Sequence, residues 1–359
     1  MPLLTPLHTW HSQNGARMVD FGGWDMPVQY TSIVDEHQAV RNQAGIFDIS
    51  HMGRLFVSGP DACKFLQLVC TNDIATLAEG QVRYSLVCNE GGTILDDILV
   101  YKLKDQFLLV VNASNRTKIV DWLMKHKAGF QVNLDDKTLN TGMVAIQGPK
   151  AMEIADHICS EKASDLKYYF CRKGRLFDSD AIISRTGYTG EDGIEFIIPN
   201  ESLEKAWIAL ISMGLKPCGL GCRDTLRLEA GMPLYGHEID EQTNPLEAGL
   251  GWAVKMNQKE FIGKKSLSGF ESNSNKRTRV GIEVLGRRIP REGCLLFHLG
   301  KEVGKVCSGT FSPTFQKPLA MGYLPANLAK LETEIEVDIR GNREKAKVVP
   351  IPFYKRPKN

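Results

Sequence analysis

The 359-residue chain is too long for one ordinary core and predicts two or three packed units. Its 44 Lys and Arg against 42 Asp and Glu leave a net +2, which is not the electrostatic footprint of a nucleic-acid binder. A hydrophobic content of 43% with 24% charged residues is that of a globular enzyme. In chain order, residues 60–69 and 114–127 carry helix-like apolar spacing. Residues 82–88, 93–101 and 106–112 read as strands separated by the turns Asn89-Glu90-Gly91-Gly92 and Lys104-Asp105. These make a compact mixed unit with adjacent antiparallel strands. A strand at 193–198 precedes an amphipathic helix at 201–213, and a further helix at 223–230 is stopped by Gly231 and Pro233, so a second mixed unit spans roughly 140–255. From Gly269 the chain turns polar and reads as a linker. The β-rich pieces 280–285, 302–307, 335–339 and 346–351 then predict a small barrel or sandwich. The class is α+β, multidomain, with mixed and antiparallel sheets.

Nine cysteines, an odd number without CxxC spacing, argue against a disulfide framework and a zinc site and read as buried free thiols. No stretch approaches the ~18 apolar residues of a membrane span, and the start lacks a basic segment followed by a long apolar run. The expectation is a soluble interior protein.

Three stretches carry chemistry. In a strand over 93–101, one face holds Ile94, Asp96, Ile98 and Val100, and the other Thr93, Leu95, Asp97, Leu99 and Tyr101. A strand apolar on both faces is buried, and a carboxylate there costs several kcal/mol, by order of magnitude, unless paired or hydrogen-bonded. Asp96 or Asp97 either accepts backbone N–H groups at a bend or performs chemistry. In the second stretch, Gly187-Tyr188-Thr189-Gly190-Glu191-Asp192-Gly193-Ile194-Glu195-Phe196, glycines let the backbone approach a ligand closely and deliver Glu195 at a defined point. The alternative is an acidic surface turn, with Tyr188 a packed aromatic or a ligand contact. In the third, Gly219 to Gly231, Arg223 and Arg227 stand four apart on one helix face and repel unless an anion lies between them or one enters a core ion pair with Asp224 or Glu229.

Other chemistries find no support. Asp224 stands where a dinucleotide loop needs glycine, and GxxxxGK[ST], GxSxG and HExxH are missing. His8 and His11 flank Trp10 as ordinary helix residues, and the lone His51 reads as structural.

The three stretches, with Asp48-Ile49-Ser50-His51-Met52-Gly53, Asn244-Pro245-Leu246-Glu247-Ala248-Gly249 and Pro352-Phe353-Tyr354-Lys355-Arg356, resemble the aminomethyltransferase family, the tetrahydrofolate-dependent T-protein of the glycine cleavage system. The resemblance implies a three-domain cloverleaf around a folate pocket. A folate-binding region over 1–265 would have two lobes, roughly 51–140 and 1–50 plus 141–265, followed by a linker at 266–279 and a C-terminal β-barrel at 280–359. It implies Asp97 as the catalytic carboxylate, with Asp96 as fallback. Glu195, Arg223, Tyr354, Tyr188, Asn112, Met52 and Tyr84 would bind the substrate, and Arg227 would lend support. A Glu195 carboxylate can accept the exocyclic amine and ring N–H of a pterin in parallel, and Tyr354 implies that the barrel closes over the pocket.

By the same resemblance, an aminomethyl group on the lipoyl arm of a carrier, the H-protein, passes to tetrahydrofolate as co-substrate. Ammonia is released and 5,10-methylenetetrahydrofolate forms, with no metal, pyridoxal phosphate or flavin required. The compartment would be the bacterial cytoplasm, or the mitochondrial matrix for a eukaryotic mature form, with neither nucleic acid nor membrane as partner. A folate-dependent demethylase and a non-enzymatic folate-binding iron–sulfur assembly factor are the rivals. Lys276, Arg277, Arg279, Arg287, Arg288 and Arg291, against Glu283 alone, form a basic stretch that either is a solvated face or steers an acidic carrier.

Overall fold

In the computed structural model, residues 1–257, 259–270 and 276–357 are described. The strands Val82–Cys88, Ile94–Lys102, Gln106–Val111, Gly53–Ser58 and Asn133–Asp136 form an antiparallel sheet in that order. Helices Ala62–Val69 and Arg116–His126 cover one face of it. The first is helical where expected because Ala62, Phe65, Leu66 and Val69 fall on one stripe, and all four are buried against Leu55, Val57, Ile98 and Val100.

A second sheet runs Cys171–Leu176, Ser179–Ser184, Gly193–Pro199, Thr141–Gln147, Gly45–Asp48 and Lys216–Pro217. All its pairings are antiparallel except the last, so the sheet is mixed. Helix Asn200–Ser212 buries Leu203, Ala206, Trp207 and Leu210 against its outer face. Its inner face meets the first sheet through an apolar layer that includes Phe47, Ile49, Tyr101, Leu108, Val110, Met143, Ala145 and Ile197. Strand Gly45–Asp48 precedes the first sheet in the chain but pairs with Thr141–Gln147, Ile46 lying opposite Ile146.

The C-terminal strands close into a barrel in the order Arg277–Val284, Lys317–Pro325, Lys301–Ser312, Leu295–His298, Glu334–Ile339 and Asn342–Val349. The barrel expected from the β-rich tail is therefore present, with two strands beyond those read from the sequence. Lys317–Pro325 contains Pro318, Gly322 and Pro325 and gives little local strand signal. It is a strand because it pairs on both edges, with Arg277–Val284 and with Lys301–Ser312. Of the stretch expected as a linker, residues 271–275 lie outside the described residues, residues 266–270 lie in the helix Lys264–Phe270, and strand Arg277–Val284 begins at its far side. All nine cysteines are free thiols. No helix among the described residues is long and apolar enough to cross a membrane.

Candidate functional site

A cavity of about 470 Å³ lies where the two sheets and the helix Leu220–Glu229 meet, a size ordinary for a small-ligand site. Met52, Tyr84, Asp97 and Asn112 line it, together with Tyr188, Glu195 and Arg223. It adjoins two further clefts. One, of about 400 Å³, shares Tyr188 and Arg223 with it and adds Arg227, Arg291 and Cys307. The other, of about 680 Å³, shares Tyr84 and Trp252 with it and adds Arg83, Tyr168 and Lys255.

Strand alternation decides between the two aspartates. In Ile94–Lys102, Asp96 points to the side of Ile98 and Val100, beneath the helix that begins at Arg116, whereas Asp97 points with Leu99 toward the cavity. Leu95 joins the Ile98 side because the pairing slips between Val87 and Cys88. Asp96 accepts hydrogen bonds from Asn112 N at 3.1 Å, Asn112 Nδ2 at 2.8 Å and Asn115 Nδ2 at 2.6 Å. Asp97 accepts from Asn112 Nδ2 at 2.7 Å and from the Tyr84 hydroxyl at 3.1 Å. Burial pushes both carboxyls above the usual range, and the charge of Asp97 adds to the effect on Asp96. The donors from Asn112, and from Tyr84 or Asn115, oppose it.

Glu195 is 5% exposed, and among the described residues its carboxylate takes one hydrogen bond, from Thr186 Oγ1 to Oε2 at 2.6 Å. Burial raises its carboxyl above the usual value against the pull of Thr186 and Arg223. The glycines of its turn approach protein as well as cavity. A Cβ on Gly190, whose φ is +81°, would stand 3.0 Å from Ala230 Cβ, and one on Gly187 would collide with the Gln147 side chain. They are therefore required for packing the turn on its neighbours.

Arg223 lies over the Tyr188 ring, its Cζ 4.8 Å from the ring centre, and its Nη1 is buried without a hydrogen-bond partner. Burial lowers its affinity for its proton and Glu195 restores part of it. Arg227, 1% exposed, pairs with the expected Asp224 at 2.8 Å, whose side chain is 46% exposed, and its core ion pair is with Glu238 at 2.6 Å. The Tyr188 hydroxyl donates to Pro233 O at 2.5 Å, so this residue is both a packed aromatic and a wall of the cavity. Tyr84 stacks on Trp252, ring centres 5.2 Å apart.

Tyr354 stands apart from these. It is not among the cavity-lining residues; its ring covers the Arg41 guanidinium at 3.8 Å and its N–H donates to Glu229 O at 2.7 Å. The barrel reaches the adjoining cleft through Arg291, Cys307, Ser308 and Gly309.

His51, read as structural, is on the cavity wall, edge-on to Phe21, with Nδ1 buried and unpartnered. Burial, with the nearby charge of Arg223, takes its pKa down to about 3 and keeps the ring neutral. Phe21, Tyr169 and Trp252 also line the cavity and gave no signal in the sequence. His8 and His11 meet carboxylates through the fold: His8 meets Asp25 at 2.7 Å, while His11 bridges Asp48 at 2.9 Å and the Tyr30 hydroxyl at 2.8 Å. Among the described residues no His, Cys, Asp and Glu cluster could hold a metal.

The basic stretch does not form one free face. Arg277 pairs with Glu247 at 2.7 Å, Arg288 pairs with Glu344 at 3.0 Å, and Arg279 donates to Ala248 O and Gly231 O.

Comparison with known proteins agrees along the whole length. Residues 7–258 match the family model described as GCVT N-terminal domain, and 277–355 the one described as glycine cleavage T-protein C-terminal barrel domain. The chain is 47% identical to an aminomethyltransferase of Symbiobacterium thermophilum, over 98% of this chain and 97% of that one. It is 46% identical to an aminomethyltransferase of Chloroherpeton thalassium, over 97% and 98% respectively. The crystal structure of glycine cleavage system aminomethyltransferase T from Bartonella henselae superposes with a TM-score of 0.92 at 34% identity, covering 99% of each chain.

Proposed function

The chain belongs to the glycine cleavage T-protein family, and from that premise we propose that it transfers an aminomethyl carbon from a lipoyl arm to tetrahydrofolate within the 470 Å³ cavity. The observation that carries this reading is the opposition of Asp97 and Asn112, from one sheet, to Glu195 and Arg223, from the other sheet and its adjoining helix, around one cavity. The relatives are named aminomethyltransferases, which does not favour the demethylase or the assembly factor.

The reaction balances as follows. The carbon–sulfur bond of the aminomethyl adduct and the carbon–nitrogen bond to its amine break, and bonds from that carbon to N5 and N10 of the folate form. The two protons released from N5 and N10 go to the departing amine and thiolate, giving ammonia and the dihydrolipoyl carrier. In this proposal Glu195, whose Oε1 is left without a protein hydrogen bond among the described residues, accepts the pterin amine and ring N–H. The unpartnered Arg223 Nη1 supplies a donor on the same wall. Asp97, oriented by Asn112 and Tyr84, offsets positive charge at the carbon as it becomes iminium-like, and holds the two nitrogens in line.

The finer assignments belong to the same proposal: lobes of roughly 51–140 and 1–50 plus 141–265 enclosing the folate, a lipoylated H-protein as partner, and a cytoplasmic setting. The test is turnover with aminomethylated carrier. Formation of 5,10-methylenetetrahydrofolate and ammonia in equal amounts, dependent on both reactants, is expected. Ammonia release at the same rate without folate refutes transfer.

A further inference from the structure

Arg41 is not a wall of the cavity, yet its guanidinium joins two of the walls. It sits on the helix Ile33–Asn42 with its side chain 5% exposed. Nη1 donates to Thr189 O and Glu191 Oε1, both at 2.8 Å. Nη2 donates to Glu229 Oε2 at 2.9 Å, and Nε reaches the same oxygen at 3.3 Å. Thr189 and Glu191 lie in the turn between the cavity residues Tyr188 and Glu195, and Glu229 ends the helix that carries Arg223. Glu229 is fixed in turn by the barrel, accepting from Ser312 Oγ at 2.5 Å and Thr314 Oγ1 at 2.7 Å. The exposed face of the guanidinium is closed by Tyr354.

Other bonds tie the turn to its own surroundings. Arg185 grips Asp192 with two nitrogens, and Thr189 Oγ1 donates to Gln147 Oε1 at 2.9 Å. Arg41 differs in holding the turn that leads into Glu195 and the end of the Arg223 helix with one rigid fork, so guanidinium geometry sets the distance between these two segments. An ammonium in its place reaches one side at full strength and leaves a buried acceptor on the other without its donor.

We propose that Arg41 is a positioning residue for the folate site, and that Tyr354 acts on the substrate through Arg41 and not by contact. This rests on reading the cavity as a folate site. A direct ligand role would require Tyr354 on the cavity wall, where it is not. The stacked ring instead excludes water from a guanidinium whose bonds define two walls, and so holds the fork in place.

The test uses the full chain with its carrier. Arg41→Lys should raise KM for tetrahydrofolate at least about fivefold, with KM for the carrier and kcat at saturating folate within about twofold of the parent. A merely structural role lowers the fraction of active molecules, which reduces kcat and leaves KM for folate unchanged; that result overturns the proposal. Should Arg41→Lys fail to fold, the Tyr354 variants decide. Tyr354→Leu should reproduce the selective rise in folate KM, and Tyr354→Phe, which keeps the ring over Arg41, should not. Equal losses in Phe and Leu would assign the role to the hydroxyl, which faces Glu191, and not to the ring over Arg41, and would overturn the part given to the stacked ring. Parent protein that neither binds tetrahydrofolate nor uses it would sink the folate reading itself, an outcome distinct from a parent that binds it beside an Arg41→Lys variant that binds it equally well.

Discussion

Asp96 and Asp97, neighbours on one strand, share one amide: Asn112 Nδ2 lies 2.8 Å from Asp96 Oδ1 and 2.7 Å from Asp97 Oδ1. Only Asp97 lines the cavity. Asp97→Asn should keep the fold and most folate binding but lower turnover at least about tenfold, because an amide holds the shape and loses the charge. Asp96→Asn sets an amide against the donors of Asn112 and Asn115, and should cost about 1–3 kcal/mol of stability with a smaller loss of turnover per folded molecule. Since burial raises Asp97, turnover of the parent should fall with pH below a midpoint above the ordinary aspartate range, and Asp97→Asn should lack that limb. Steady-state kinetics and denaturant titration check this; wild-type speed in Asp97→Asn removes the mechanism.

Glu195→Ala should weaken tetrahydrofolate binding by about 1.5–3 kcal/mol, the usual worth of hydrogen bonds to a charged group, since pterin donors are left unpaired in a buried pocket. Arg223→Ala should lose a similar or smaller amount. Calorimetric titration of the folded Glu195→Ala variant is the measurement, and unchanged affinity would take Glu195 out of the site.

Asp48 gives a stability signature in acid. Burial alone would raise its carboxyl, but the His11 hydrogen bond and charge, with Ser50, bring it from 3.8 to about 2. A depressed folded value means that its contribution is fully present above 3.8 and is lost as pH falls toward about 2. Urea unfolding over that window should show a shallower pH dependence in Asp48→Asn than in the parent. Parallel slopes would show that Asp48 is not a source of the acid sensitivity.

In the basic stretch Arg287, Arg288 and Arg291 are exposed, and Arg288 is held by Glu344 at 3.0 Å. Reversing Arg287 and Arg288 to Glu should raise the apparent KM for an acidic carrier and flatten its salt dependence, with turnover of a small free aminomethyl donor unchanged, because complementary charge acts mainly on association. Identical carrier kinetics at low ionic strength, where steering is strongest, would leave these arginines as surface.

What could be read from the sequence depended on the range of the forces involved. Helix Ala62–Val69 and the aspartate strand announce themselves because their apolar periodicity is local. The split between Asp96 and Asp97 was legible in the same way, since alternation alone sends them to opposite sides. Strand Lys317–Pro325 was not, because its identity comes from two partners in other parts of the chain. The same holds for His51, which becomes a cavity wall only where Phe21 and Arg223 arrive. Tyr354 matched a motif, but its place over Arg41 depends on how the C-terminus crosses the Glu229 helix end. For Tyr354 the motif position did not say which residues it touches, whereas Met52, Tyr84, Asp97, Asn112, Tyr188, Glu195 and Arg223 all reach the cavity.

The apolar layer between the two sheets also acts as a ruler. Asp97 belongs to one sheet and Glu195 to the other, so the span between them, across which the proposed folate would lie, is set by the thickness of side chains such as Phe47, Tyr101, Leu108 and Ile197 packed between the sheets. Side chains of that layer that do not line the cavity, such as Phe47 and Leu108, are not placed to touch a reactant, yet their volume is part of the tolerance to which the site is machined.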